Sequence, residues 1–473
     1  MPLRPDQRAG LDKVTAAHEK HQNVCLVQPT GTGKTYTAAS AMLESTKREL
    51  FIVHRDILAE QTYARLVAHG LSPGMLTGRR KLDLGNRIVV ATAQSLYRRA
   101  EFVRSFDRVW FDEAHRGEHR KIIAMVRQWP FMRGTGLTAT PCPGGRGMAP
   151  DFDALEVGLS YPEALALNLI LKPTIYAPMR PSLTGVRVRQ GEYVEADLEP
   201  LMHRLMSDVM GAYSTYCAGK RTLIFCVNRG HAGQVRTALE QAGHMPLYID
   251  GETPRPERDD ILAQWRQSPP RPLVNIGVFA EGYDEPAIEA IMLANPMKSL
   301  ARYLQCAGRG CRTNKDAGKT GYLLVDCSGS VFDHGSPAAH RAWSLEFGLQ
   351  KARAAPAPFR VCQKCFAVFE GAKCELCGHV PEVSTTPPKS ARAELQLIPE
   401  SFVPAVDATP KLKEPDLEMT DVTRLRRKLY AQLQKQCHEP VLTSRVSEEM
   451  KRRVVLVWRG QNLVLPLHTS LLW

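Results

Sequence analysis

The chain lacks any apolar run near the ~20 residues a helix needs to cross a bilayer, so no membrane-spanning helix is expected. Its opening residues, Met1-Pro2-Leu3-Arg4-Pro5, lack the apolar centre of a signal peptide, and a cytoplasmic location is the expectation. Acidic residues are scarce: 49 Asp and Glu against 62 Lys and Arg leave a formal charge of +13. Such a balance suits a polyanion, because cations that neutralise phosphates release condensed counterions. By itself it also fits a merely basic soluble protein. No disulfide framework is expected either, since twelve cysteines are spread over 473 residues and no leader is expected. Cys25, Cys142, Cys217, Cys226, Cys306, Cys311 and Cys327 stand singly or nearly so and read as buried thiols. No paired-carboxylate-plus-lysine nuclease segment, no methyltransferase signature and no strand-separating wedge can be read. The rest of the composition, 44% hydrophobic and 23% charged, is that of a globular chain with room for two or three full cores.

Two motifs carry the chemistry. Residues 28–35 read Gln-Pro-Thr-Gly-Thr-Gly-Lys-Thr. Gln28 stands where the usual phosphate-loop pattern has glycine. The physical requirements survive: Val24 to Val27 reads as a buried strand, Gly31 and Gly33 permit a tight turn, and Tyr36 to Met42 reads as a helix. Pro29, Thr30, Gly31, Thr32, Gly33, Lys34 and Thr35 would then wrap phosphates at a helix N-terminus. Lys34 would face the β and γ groups, and Thr35 a magnesium ion. The second motif, Asp112-Glu113-Ala114-His115, ends the apolar run Arg108-Val109-Trp110-Phe111. Ligand sites of open parallel sheets lie at the carboxyl ends of strands, so one sheet can bring both motifs to one nucleotide. Asp112 would hold the metal and Glu113 the attacking water.

With those two in place, the chain resembles a superfamily 2 helicase over residues 1–345, and further signatures follow in that family's order. Arg4-Pro5-Asp6-Gln7 resembles an adenine-reading Q motif in which Gln7 contacts the base edge. Phe51 to Arg55 and Ile88 to Leu96 resemble strand ends that touch a nucleic-acid backbone. Gly136-Leu137-Thr138-Ala139-Thr140-Pro141 resembles motif III; with His115, its Thr138 and Thr140 are implied to couple hydrolysis to movement. Thr222 to Asn228 resembles motif IV, and Glu281 to Pro286 resembles motif V, which implies nucleotide contacts at Gly282 and Asp284. Gln305, Gly308, Arg309 and Arg312 match motif VI. The resemblance implies that Arg309 and Arg312 reach the γ-phosphate as arginine fingers, worth ~10³–10⁵ in rate, with Gln305 beside them. Gly318 to Asp326, then Gly329 and His334-Gly335, resembles RadD-like bacterial and phage DEAD/DEAH-box helicases. That implies ATP and Mg²⁺ as cofactors, a bacterial host cytosol or nucleoid, and DNA, single-stranded or branched, as partner, with RNA as the rival. Backbone contacts fall by the same resemblance to Arg55, Thr92, Gln94, Asn228 and Arg229. Residues 142–147, Cys-Pro-Gly-Gly-Arg-Gly, depart from the short Arg-containing loop that relatives carry there.

Apolar strands alternate with helical stretches between residues 23 and 140, and the pattern restarts at Thr222. The expected fold is α/β: two tandem RecA-like doubly wound parallel-sheet lobes, a small C-terminal four-cysteine zinc module and a partly irregular tail. Lobe 1 is expected over 1–141, a connecting segment with a helix from Leu198 to Tyr216 over 142–218, and lobe 2 over 219–348.

Behind the lobes, Cys362-x2-Cys365 and Cys374-x2-Cys377 form two pairs eight residues apart, within an expected knuckle over 358–380. Four thiolates at such spacing fit a structural Zn²⁺ with Zn–S near ~2.3 Å, with an iron–sulfur cluster as the rival. Gly378 suits the second turn, and His379 reads as a bystander. Lys364, Phe366, Phe369 and Lys373 either touch nucleic acid or, for the aromatics, form the knuckle's own core. Residues 381–416 read as a linker. Within 417–473, Met419 to Gln436 reads as a basic amphipathic helix, open to protein partners, and Val454 to Trp473 as a small terminal unit. Four functions stay open: a DNA helicase or translocase in repair, recombination or phage DNA metabolism; an RNA helicase; the motor subunit of a restriction or defence nuclease; and an ATP-switched zinc-containing DNA-binding protein without unwinding.

Overall fold

A computed structural model describes residues 3–141, 147–280, 285–314, 317–346, 348–349, 359–380, 453–458 and 461–466. The first sheet is built from β1 (Asn23–Val27), β2 (Glu49–Val53), β3 (Pro73–Leu76), β4 (Lys81–Leu82), β5 (Ile88–Thr92), β6 (Arg108–Asp112), β7 (Arg133–Thr138) and β8 (Ala154–Val157). They lie in the order β4-β3-β5-β2-β6-β7-β1-β8. Every pairing is parallel except the short β3–β4 hairpin. All residues of β1, β2 and β5 are buried. Parallel strands covered on both faces need continuous apolar runs, and the sequence supplies them as Val-Cys-Leu-Val, Leu-Phe-Ile-Val and Ile-Val-Val-Ala. Helices α1 (Pro5–His18), α2 (Lys34–Glu44) and α3 (Asp56–Ala68) belong to this lobe. Leu11 and Val14 of α1 and Met42 of α2 join Leu26, Phe51 and Trp110 in the core on one side of the sheet.

The second sheet contains β9 (Pro173–Tyr176), β12 (Thr222–Phe225), β13 (Leu247–Ile249), β14 (Leu273–Asn275), β15 (Ala290–Leu293) and β16 (Tyr322–Asp326). The order is β13-β14-β12-β15-β16-β9, parallel throughout. Between β9 and β12 lies a two-stranded ribbon, β10 (Val188–Arg189) with β11 (Glu192–Tyr193). Two parallel sheets with helices on their faces are the α/β fold expected of RecA-like lobes.

One expectation changes in kind. Residues 142–218, read as a connector, supply an edge strand to each sheet: β8 lies beside β1, and β9 beside β16. Neither carries the apolar run of a central strand, because an edge strand is covered less; every residue of β8 is only partly buried. The predicted helix appears as Glu195–Arg204, Met206–Ala212 and a π-turn over Tyr213–Cys217. Its Leu198, Met202, Val209 and Tyr213 enter the core of the second lobe. Six of the seven scattered cysteines are buried thiols, as expected; Cys142 lies outside the described residues.

The cysteine module follows the second lobe. Its β19 (Arg360–Val361) and β20 (Val368–Phe369) form an antiparallel pair, after a pair β17 (Trp343–Ser344) and β18 (Gly348–Leu349). Residues 381–416 and the basic helix near 417–436 lie outside the described residues. Residues 385–473 form a separate unit. Within it β21 (Arg453–Trp458) pairs antiparallel with β22 (Gln461–Pro466), in the stretch read as a small terminal unit.

Candidate functional site

The loop after β1 takes the shape its glycines allow. Gly31 and Gly33 have φ of +88° and +92°, backbone that a side chain disfavours. Gly33 stands at the N-cap of α2, whose first residues are Lys34 and Thr35. The loop's amides therefore meet the positive end of a helix dipole. The Lys34 ammonium lies 3.5 Å from the Gln28 carbonyl, folded over the loop. Gln28, at the position that departs from the usual pattern, is wholly buried. Its side chain packs near Gly10 of α1 and Gly158, away from the loop.

The Q-motif residues grip this loop from below. Arg4 Nη2 donates to the Thr32 carbonyl at 2.7 Å and Gln7 Nε2 to the same oxygen at 3.3 Å. Gln7 Oε1 accepts from the Arg4 N–H at 3.2 Å. Gln7 was expected at a base edge; here its amide is engaged at both ends within the protein, and it is fully buried.

Asp112 ends β6 in register with Leu137 of β7, while Val27 of β1 pairs with Thr138. That register sets three motifs side by side. The Thr138 carbonyl accepts from the Gln28 N–H at 3.0 Å. The Thr138 hydroxyl accepts from the Thr140 N–H at 3.0 Å and meets His115 Nδ1 at 2.9 Å. His115 Nδ1 also lies 3.5 Å from the Glu113 carboxylate. Glu113 adopts φ +47°, a strained left-handed backbone for a residue with a Cβ, and strain of this sort gathers at functional sites. Burial, and then the neighbouring Glu113, push the Asp112 carboxyl up to about 6. A bound divalent cation would reverse that.

His119 escaped the sequence reading. Its ring is buried, and Nε2 lies 2.8 Å from the Asp112 carbonyl. A carbonyl only accepts, so Nε2 carries the proton. Burial holds the ring neutral, lowering it to about 3. The signal was available in Asp-Glu-Ala-His-Arg-Gly-Glu-His, where a second histidine follows the first by four.

Across the cleft, helix Leu300–Ala307 of the second lobe runs into the turn Gly308–Cys311. Gln305 and Arg309 are buried. Arg309 and Arg312 line the same cleft, of about 440 Å³, as Gly31, Gly33, Lys34, Thr35, Asp112 and Glu113. Burial lowers the Arg309 guanidinium to about 10, and the charge of Arg312 adds to the effect. The lobes also touch through Cys311, whose thiol lies 3.6 Å from the Thr30 carbonyl, and through an Arg255–Glu60 ion pair from the second lobe to α3.

The expected backbone contacts divide. Arg55 and Gln94 are exposed, and Arg55 lines a separate cleft of about 380 Å³ with Arg258, Arg266 and Phe279. Thr92 is buried and bonded to Ser95 at 2.8 Å. Asn228 and Arg229 serve the second lobe itself. Asn228 caps helix Arg229–Gln241 by accepting from the His231 N–H at 3.0 Å, and donates to Glu199 at 2.6 Å. Arg229 is paired with Asp250 at 2.8 Å and Glu252 at 2.6 Å. Gly282 and Asp284 lie outside the described residues.

The four cysteines converge. Their sulfurs all lie within 4.8 Å of one another, with Cys362–Cys377 at 3.5 Å and Cys365–Cys374 at 3.7 Å. A tetrahedral ion with ~2.3 Å bonds sets sulfurs about 3.8 Å apart, so the donor set fits zinc. Both turns repeat one design: the Phe366 N–H returns to the Cys362 carbonyl and the Gly378 N–H to the Cys374 carbonyl, each at 2.9 Å. Both residues have positive φ, +57° and +72°. Gly378 was legible from this need; Phe366 was not. The aromatics divide as well: Phe369 is core, whereas Phe366 is exposed. The module is docked on the second lobe, since Ala177 N–H donates to the Phe366 carbonyl at 2.9 Å and Tyr176 bridges Ala367. Tyr216, stacked on Tyr176, lies 3.3 Å from the Cys365 carbonyl.

Residues 1–142 match the family described as Type III restriction enzyme, res subunit, and residues 206–314 match the Helicase conserved C-terminal domain. A 51.5 kDa protein of Lactococcus phage (isolate 7-9) is 25% identical over 391 residues, covering 79% of this chain and 82% of that protein. The Type I restriction enzyme EcoAI endonuclease subunit of Escherichia coli is 24% identical over 375 residues, 68% of this chain but 45% of its own length. Among solved structures, the ATP-dependent Type ISP restriction-modification enzyme LlaBIII bound to DNA shares the fold with a TM-score of 0.51 and 16% identity, over 69% of this chain and 27% of its own. This chain thus spans less than half of either restriction protein. No helix among the described residues is long and apolar enough to cross a membrane. The two family matches, one in each lobe, support a superfamily 2 helicase, and the two-lobe fold is shared with the restriction enzyme.

Proposed function

We propose that this protein is an ATP-driven motor of the RadD-like kind that moves along DNA. The single observation that carries the reading is the cleft shared by Lys34, Thr35, Asp112 and Glu113 of one lobe with Arg309 and Arg312 of the other. Lys34 and the loop amides of residues 30–35 hold the phosphates. Thr35 and Asp112 hold Mg²⁺, which when bound neutralises charge between the phosphates. Glu113 orients the attacking water, and Arg309 and Arg312, with Gln305 beside them, meet the charge that develops on the γ-phosphate. Arg4 and Gln7 fix the loop against α1. Because the site is complete only when both lobes contribute, triphosphate favours closure and hydrolysis relaxes it. The contacts from Glu113 through His115 to Thr138 and Thr140 give that change a route into the first lobe. The exposed Arg55 and Gln94 then face the nucleic-acid backbone, while the buried Thr92 braces the strand end through Ser95. Asn228 and Arg229 reach a phosphate only by giving up Glu199, Asp250 and Glu252. Cys362, Cys365, Cys374 and Cys377 hold a structural zinc that fixes a module too small for its own core.

DNA is favoured over RNA by the RadD-like stretch after Arg312. A second reading, the motor of a restriction assembly, is favoured by the family matched over residues 1–142. With no nuclease segment read in this sequence, cleavage would rest on a partner protein. The test measures ATP hydrolysis with single-stranded DNA, duplex DNA or RNA, with Lys34→Ala and Glu113→Gln as controls. Stimulation by DNA that both variants abolish supports the proposal; stimulation by RNA alone reverses the substrate.

A further inference from the structure

The turn that carries Arg309 and Arg312 is held by a residue outside motif VI, in the stretch from Gly318 to Asp326. Helix Leu300–Ala307 ends at Gly308, and the backbone reaches Arg312 through one tight turn into an extended conformation. Chain leaving a helix has carbonyls without intrahelical partners, and these attract cations. Here the Lys319 ammonium meets them. It donates to the Gly310 carbonyl at 2.8 Å and the Arg312 carbonyl at 3.1 Å, and its third partner is the Pro286 carbonyl at 3.2 Å. The carbonyl between them, of Cys311, accepts from the Leu171 N–H at 2.6 Å. Three successive carbonyls through the arginine turn are thus satisfied from outside it. Two of the three depend on one side chain.

A lysine is suited to this place for a stated reason. Its head offers three donors on one atom and no acceptor, and three carbonyl oxygens converge on it. The cost is burial: the ammonium is lowered to about 8 mainly by desolvation, with Arg312 acting in the same direction and Cys311, Glu289 and Glu285 opposing it. A charged group kept in a partly dry place with carbonyls as its direct hydrogen-bond partners is there to organise backbone. The Pro286 contact extends the reach to the loop that enters β15, so one atom ties that loop to the arginine turn.

We infer that Lys319 is a positioning residue for ATP hydrolysis, holding the backbone of residues 310–312 so that the Arg309 and Arg312 guanidiniums face the phosphate loop. Its ammonium is bonded to carbonyls and is not among the residues lining the cleft, so it acts through the arginines. This rests on the reading of the cleft as an ATPase site.

The test uses the full chain in steady-state ATP hydrolysis, comparing wild type, Lys319→Met, Arg312→Ala and the double variant, with Lys34→Ala as reference. Displaced guanidiniums act on the transition state, so Lys319→Met is expected to lower kcat roughly 10- to 100-fold while the KM for ATP moves less than about threefold. In the Arg312→Ala background the same substitution should cost several-fold less than in wild type, because one of the two guanidiniums it positions is gone. A lysine with a general structural role gives the opposite result: losses that multiply in the double variant, or a KM that rises with kcat unchanged. Either overturns the inference, as does an unchanged kcat in Lys319→Met. Should Lys319→Met not yield folded protein, Lys319→Gln, which keeps an N–H for one carbonyl, is measured with the same criteria. If wild type and Lys34→Ala hydrolyse ATP equally, the ATPase reading itself fails. If Lys34→Ala is inactive and Lys319→Met is not impaired, only the role of Lys319 fails.

Discussion

The two lobes present their candidate site residues by different means. In the first, the phosphate loop and the Asp-Glu pair follow directly from β1 and β6, buried parallel strands whose register sets the residues side by side. In the second, Arg309 and Arg312 sit on a turn beyond a helix; Gly310 of that turn packs on Tyr322 of β16, but no ladder of the sheet holds its carbonyls. It is set by contacts from distant sequence: Lys319, Leu171 and, across the cleft, Thr30. Strand-borne chemistry inherits its geometry from backbone ladders. Turn-borne chemistry has to be anchored one carbonyl at a time.

The comparison can be attacked where the effects are largest. Arg309→Ala should lower kcat by ~10³ or more, the worth of an arginine finger, with ATP binding nearly unchanged; weakened binding with normal turnover would place the arginine on the wrong step. Glu113→Gln in the first lobe should cost ~10²–10⁴, the range for a residue that manages a proton. Its fluorescent-ATP affinity should stay at the wild-type value, whereas Lys34→Ala should lose affinity. Metal removal should separate the lobes. A chelator ought to raise hydrogen exchange at Tyr176 and Ala177 of the second lobe, where the cysteine module is docked, and leave β1 and β6 protected. Equal exchange in both lobes would mean the module is independent. A smaller effect is expected from Asn228→Ala, which removes a helix cap in the second lobe and should cost about 1 kcal/mol, read as a shift in denaturation midpoint.

Acid is the perturbation that should not distinguish the lobes. His18 and His119 in the first, and His231 and His334 in the second, are all lowered, chiefly by burial. The unfolded chain therefore binds more protons below about pH 6.5. Stability present above that pH is lost as pH falls toward the folded values of about 4, 3 and 4 for His18, His119 and His231. The slope is at most about 1.4 kcal/mol per pH unit for each group. Urea unfolding from pH 7 to 5 that spared one lobe would break this symmetry.

What the sequence disclosed follows the same division. The central strands were legible because burial on both faces demands apolar runs such as Leu50 to Val53. The edge strands β8 and β9 were not, since half-covered strands tolerate residues such as Glu156 and Thr174. Lys34, Asp112 and Glu113 were legible as local strings that end strands. Arg309 and Arg312 came from a family pattern, and what holds them did not come at all, because spacing along the chain carries no record of Lys319 folding back on Gly310. His119 was missed for a related reason: its role is a bond to a backbone atom, and any residue has a carbonyl. Asn228 and Arg229 show the reverse situation, where residue types suited to phosphate are engaged here by a cap and two carboxylates.

The docking of the cysteine module on Tyr176 and Ala177 has one further consequence. The second sheet ends at β9, and an outer strand with free amides and carbonyls is a template for a stranger's strand. Four sulfurs placed to hold one ion belong to the short hairpin that presses on the end of that rim. Stripping the ion would therefore do more than loosen an appendage: it would bare a sticky border along which copies of the chain can zip together, so aggregation should announce metal loss before catalysis does.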